Sequence, residues 1–123
     1  MTPARAVAAA LVVSIAAGGA WYASRAADAH PARPQVKLLL ENDRVRMREI
    51  VLPPGSSTGQ HTHKVPELSY AFTDGALRVV SPGTQPVVEQ WHAGEAHWRD
   101  AGVSHDIANA GDADMRVLVI DVK

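Results

Sequence analysis

The chain has 123 residues, 12 Lys and Arg against 13 Asp and Glu, and a formal net charge of -1. That length implies one domain, and the near-neutral balance excludes the basic surface that a nucleic-acid partner needs. With no cysteine, disulfides, thiolate ligands, a cysteine nucleophile and a lipidated cysteine are excluded.

Residues 1–29 read as a targeting segment rather than part of the fold. Ala6 to Ala20 is an uncharged run of 15 residues, rich in Ala and Val. It is shorter than the ~20 residues a membrane span requires, and suits a signal-peptide core. Ala27-Asp28-Ala29 supplies the small-x-small pattern of a cleavage site, so that His30 begins the mature chain. The competing reading is an uncleaved anchor over residues 6–22, with Trp21 and Tyr22 as interfacial aromatics. Both readings place the folded domain outside the cytoplasm, periplasmic or secreted in the first and held at the inner membrane in the second. No Arg-Arg pair suggests a twin-arginine signal. Residues 30–35 (HPARPQ) form a linker, because two prolines in six residues prevent regular structure. His30 is expected to be exposed and inert.

From Val36 onward short apolar runs alternate with turn signals. The predicted strands are Val36–Leu40, Val45–Leu52, Glu67–Phe72, Ala76–Ser81, Val87–His92, Ala96–Arg99, Val103–Ala108 and Met115–Val122. A change of apolar phase between Met47 and Ile50 predicts a bulge near Glu49. Arg44, Arg46 and Arg48 alternate along one strand and read as its solvated face. Asp74-Gly75 between two apolar runs predicts a hairpin. Met115–Val122 is nearly continuous in apolar residues, which predicts burial on both faces. About eight or nine short strands with no helix predict an all-β sandwich or barrel.

The residues with the most chemistry lie between Gly55 and Gly75. His61 and His63 are two apart, so an extended strand points both imidazoles to one face. On a helix they would diverge by roughly 200°. Pro66 breaks the strand, and the next strand can return Glu67 toward the same point. Imidazole and carboxylate suit borderline divalent metals. If Glu67 points inward, Ser69 and Ala71 share its face, and their small size leaves room above a metal. Tyr70 and Phe72 then face outward, toward a subunit interface.

These residues resemble the two motifs of the cupin superfamily, small β-barrels of jelly-roll type. The first motif is matched by Gly55, His61, His63 and Glu67, with Gly75 one residue late. The second is matched by Gly94, Gly102, His105 and Asn109, with Asp100 where the family has proline. The resemblance covers residues 36–123 and is similar to compact, quercetinase-like bacterial members. It implies one divalent metal ion (Fe, Mn, Ni, Cu or Zn) held by His61, His63, Glu67 and His105, with open positions for a substrate. It also implies a homodimer, and an oxidoreductase activity as a dioxygenase on a small-molecule substrate with Glu67 as catalytic base. Two other classes are implied as well: a ligand- or metal-binding module without turnover, and an isomerase or decarboxylase using the metal as Lewis acid.

Several other side chains compete for a role. His92 reads as surface. His97 and Arg99 alternate with Ala96 and Trp98, and the sequence does not decide which pair points inward. Trp91 and Trp98 read as core or interface aromatics. Glu49, Glu95 and Asp106 are acids that could support a ligand, with Asp106 on the surface by default. No Gly-x-Ser-x-Gly elbow and no Gly-rich phosphate loop is present.

Overall fold

The computed structural model describes residues 32–123; the predicted leader and His30 lie outside the described residues. Nine strands follow in chain order, with no helix among the described residues. They are β1 (Gln35–Glu41), β2 (Val45–Leu52), β3 (His61–Thr62), β4 (Glu67–Ala71), β5 (Gly75–Val80), β6 (Val87–Trp91), β7 (Ala96–Arg99), β8 (Ser104–Asn109) and β9 (Met115–Val122). They form a five-stranded sheet in the order β1-β2-β9-β4-β7 and a four-stranded sheet in the order β3-β8-β5-β6. Every pairing is antiparallel. The expected all-β barrel is therefore the observed architecture.

The core follows from strand alternation. Leu52, Ala71, Met115, Val117 and Val119 from the larger sheet meet Leu77 and Trp91 from the smaller one. On β9 the odd positions point inward and Met115 is completely buried, whereas the even positions are only half-buried or exposed. The expected two-faced burial of β9 is thus confined to one face. Its apolar run reflects its central place between β2 and β4.

Three local expectations are corrected. The bulge predicted near Glu49 is absent, because β2 keeps an unbroken register with β9 from Val45 to Leu52. The irregularity lies instead in β1, between Leu38 and Leu40. The apparent phase change in β2 has another origin: Val45 and Met47 share the outer face, while Ile50 and Leu52 share the inner one. Asp74-Gly75 does not close a hairpin, since β4 belongs to one sheet and β5 to the other. Asp74 instead accepts the Ala93 N–H at 2.8 Å. The hairpin at this point of the chain joins β5 to β6, where Gly83 takes a positive φ of 74°.

The second correction to β2 bears on the site. Arg48 has the same parity as Ile50 and Leu52, so it points inward rather than into solvent. It donates to both carboxylate oxygens of Asp121, at 3.1 and 3.0 Å. The arginine stripe read as a solvated face therefore contributes a charge to the barrel interior.

Candidate metal centre

His61 and His105 are direct partners in the β3–β8 ladder, which places their imidazoles side by side on the inner face. His63 follows β3 in extended form, held by its N–H on Val103 O at 2.9 Å and by its carbonyl accepting Gly102 N–H at 2.7 Å. Gly102 reaches this position with φ 90°, a conformation that glycine adopts without strain. The i, i+2 spacing thus delivers His63 to the same point as His61. The three rings pack edge to face, with centroids 4.8–4.9 Å apart. One ligand nitrogen from each lies within 4.8 Å of the others.

The ring nitrogens are ordered for ligation. His61 donates from Nδ1 to Gly59 O at 2.8 Å, leaving a lone pair on Nε2. His63 Nδ1 lies 3.3 Å from Glu67 Oε2, so donation there likewise frees its Nε2. His63 Nε2 and His105 Nε2 stand 2.8 Å apart. Burial pushes the His105 pKa down to about 4, with the Arg99 charge and the neighbouring imidazoles adding to it. His63 is lowered too, chiefly by burial, against an opposing pull from Glu67. Both rings are therefore neutral near pH 7, the form that ligates a metal. The donor set fits one divalent ion.

Glu67 comes from the other sheet. It lies at the start of β4, is buried, and accepts the Ser69 hydroxyl at 3.2 Å. The structure brings it against His63, and the nitrogens that converge are those of the three histidines. Ser69 and Ala71 share its inward face and are buried, while Tyr70 and Phe72 face outward, as anticipated.

His61, His63, Glu67 and His105 line one cavity of about 540 Å³ between the sheets, together with Arg48, Arg99 and Asp121. His97 and Arg99 are the inward pair of β7, and Trp98 is exposed, its indole donating to Asp100 at 2.9 Å. His97 does not reach the cavity; it stacks on Trp91 at 3.7 Å. Trp91 is core and His92 is surface. Glu49 pairs with Arg116 on the outer face, Glu95 contacts His97, and Asp106 accepts the Ser57 hydroxyl. None of these three acids lines the cavity.

Sequence reasoning missed two roles. Arg99 as a cavity residue required knowing which face of β7 is inward. Asn109, noted only as a motif position, is buried and clamps the β8 end. Its Nδ2 donates to Leu52 O and Ala113 O at 2.7 and 2.8 Å, and its Oδ1 accepts Gly111 N–H at 2.8 Å.

An all-β barrel with a three-histidine cluster that could hold a metal ion in its cavity defines the class of protein. Residues 48–121 match the Cupin domain family, and the chain belongs to it. It is 31% identical over 96 residues to the beta-alanine degradation protein BauB of Pseudomonas aeruginosa, covering 74% of this chain and 97% of that one. Among solved structures, a cupin domain from Bordetella pertussis is 27% identical with a TM-score of 0.72, covering 77% of this chain and 98% of the other. A predicted oxalate decarboxylase from Thermotoga maritima is 29% identical with a TM-score of 0.60, covering 72% and 79%.

Proposed function

We propose that this chain is a metal-dependent enzyme acting on a small organic substrate, with a dioxygenase as the leading reaction class. The observation that carries it is the convergence of three imidazoles on the wall of a cavity large enough for a small molecule. His61, His63 and His105 would hold the ion, with Glu67 either joining them or orienting His63. A bound divalent ion would supply Lewis-acid polarisation of a substrate oxygen and, if redox-active, electrons for dioxygen chemistry. Three protein nitrogens leave positions open for substrate.

The chain's own residues supply the rest. The Glu67 carboxylate, buried beside the cluster, would accept a proton from a substrate hydroxyl or carbon acid. Ser69, donating to Glu67 Oε1, fixes that carboxylate. Leu77, Val117, Val119 and Ile107 supply an apolar part of the wall.

A second reading, Lewis-acid chemistry without dioxygen, is favoured by the likeness to the predicted oxalate decarboxylase. The relative named for beta-alanine degradation supports a small organic substrate in either case. Elemental analysis of protein purified without chelator, beside a His61→Ala/His105→Ala variant, tests the metal. About one ion per chain, lost in the variant, is the expected result. Oxygen uptake with the redox-loaded protein then separates the two readings. Product formed without oxygen consumption would replace the first by the second, and an unchanged turnover in His61→Ala would remove both.

A further inference from the structure

Three cationic side chains, Arg48, Lys64 and Arg99, and two anionic ones, Glu67 and Asp121, line the cavity. Arg48 is paired with Asp121 through Nη2 alone, its Nε being buried without a partner, and Glu67 is turned toward His63. Arg99 is differently placed. It stands directly opposite Glu67 in the β4–β7 ladder, yet forms no ion pair with it. Its one hydrogen bond within the described residues runs from a terminal N–H to Glu89 Oε2 at 3.4 Å. That oxygen already accepts the Trp91 indole N–H at the shorter distance of 2.9 Å. A guanidinium carries five N–H donors in a planar fork, so most of this one lacks a protein partner. Its side chain is only 15% exposed, and the Trp91 ring, 5.9 Å from Cζ, backs it. The charge is felt at the metal cluster, where it lowers the pKa of both His63 and His105.

A held, under-used guanidinium in the wall of a metal cavity is an anion receptor. From this we infer that the substrate is a small carboxylate whose carboxyl group docks on Arg99 while a second oxygen reaches the ion held by the histidines. The inference rests on the metal reading above and adds the substrate class. A divalent ion makes the cavity more positive still, which favours an anionic ligand over its neutral analogue. The shape of the fork favours planar carboxylate, which it meets with two parallel hydrogen bonds.

The test uses the cobalt-loaded protein and a series of ω-hydroxycarboxylates of two to five carbons, each paired with its neutral amide. Binding is read from the visible absorption of the bound cobalt. At least one acid is expected to bind roughly 10–100-fold more tightly than its amide, the worth of a charge-assisted hydrogen-bond pair. Arg99→Gln should abolish that preference while the protein still takes up about one cobalt per chain, because the side chain is not a metal ligand. Arg99→Lys keeps the charge but loses the fork, and should retain part of the preference. If Arg99→Gln does not fold, an Arg99→Lys preference lowered by about threefold or more supports the assignment and an unchanged one overturns it. Acids that bind no better than their amides across the series, or a preference that survives Arg99→Gln, overturn it as well. A protein that takes up no cobalt defeats the metal reading itself, a separate result visible before any acid is added.

Discussion

Glu67 and Arg99 are direct cross-strand partners on β4 and β7, and their charges turn away from each other. The Glu67 carboxylate takes His63 Nδ1 at 3.3 Å and the Ser69 hydroxyl at 3.2 Å. Arg99 turns to Glu89. Opposite charges in such a pair would ordinarily attract. Here the two are drawn apart, one toward the histidines and the other toward Glu89.

This arrangement makes Glu67→Gln informative. The substitution keeps the size of the side chain and removes its charge, weakening the hold on His63. Metal affinity should fall by about 10–100-fold, the usual cost of losing the partner that orients a ligating histidine. A titration against a competing chelator measures it. A much larger fall would make the carboxylate a direct ligand, and no fall would leave it without a role in binding.

The buried imidazoles predict how the metal-free protein responds to acid. His105 has its pKa lowered from the ordinary 6.5 to about 4 by burial, then by Arg99 and the neighbouring histidines. The unfolded chain therefore binds this proton first, and stability falls with falling pH. The contribution is fully present above pH 6.5 and is lost progressively down to about pH 4. At about 1.4 kcal/mol per unit, the loss on reaching about pH 4.5 is on the order of 2–3 kcal/mol. Urea unfolding of the metal-free protein at pH 7.5 and 4.5 measures it. His105→Ala should flatten the slope, and an equal slope in that variant would move its origin elsewhere.

Asn109 predicts a cost to stability without a direct cost in ligands. Its three hydrogen bonds tie β8 to the end of β2 and to the turn before β9. Asn109→Ala leaves the Leu52 and Ala113 carbonyls short of a buried donor. The expected loss is about 2–4 kcal/mol, given the cost of each buried group left unpaired. Thermal unfolding checks this, and the metal stoichiometry of the folded fraction should be unchanged.

The legible part of this chain was the part set by short-range pattern. The period-two alternation of apolar residues placed most strands within one or two residues, and the His61-x-His63 spacing placed two rings on one face. What stayed hidden was set by sheet membership. Asp74-Gly75 has the chemistry of a hairpin turn, but β4 and β5 leave it for different sheets. That choice is made by partners tens of residues away in β8 and β9. Arg48 was hidden differently. Its charge argued for solvent, while its parity with Ile50 and Leu52 argued for the interior. Asp121 decided the matter by offering a carboxylate across the ladder. The inward turn of Arg99 followed from the same long-range register, through Glu67.

Gly75 gives the last prediction, and its sign is open to measurement. Its φ is not in the left-handed region, so backbone freedom does not require glycine. The space does. A Cβ added there would lie 2.6 Å from Met115 Sδ, 2.9 Å from its Cγ and 3.3 Å from its Cβ. Met115 is completely buried, so it has little room to withdraw. Without the clash, glycine to alanine in a strand would stabilise by about 0.5–1 kcal/mol. With it, Gly75→Ala should destabilise by roughly 1–3 kcal/mol, the ordinary cost of overpacking a core. The contact is probed by a double-mutant cycle with Met115→Val, which removes Sδ, the nearest of the crowding atoms. Chemical denaturation of the four proteins should give a coupling of about 1 kcal/mol or more, with Gly75→Ala better tolerated beside valine. Additive effects would mean that Met115 relaxes freely, and that the close approach of β5 to the start of β9 is not what places glycine at this position.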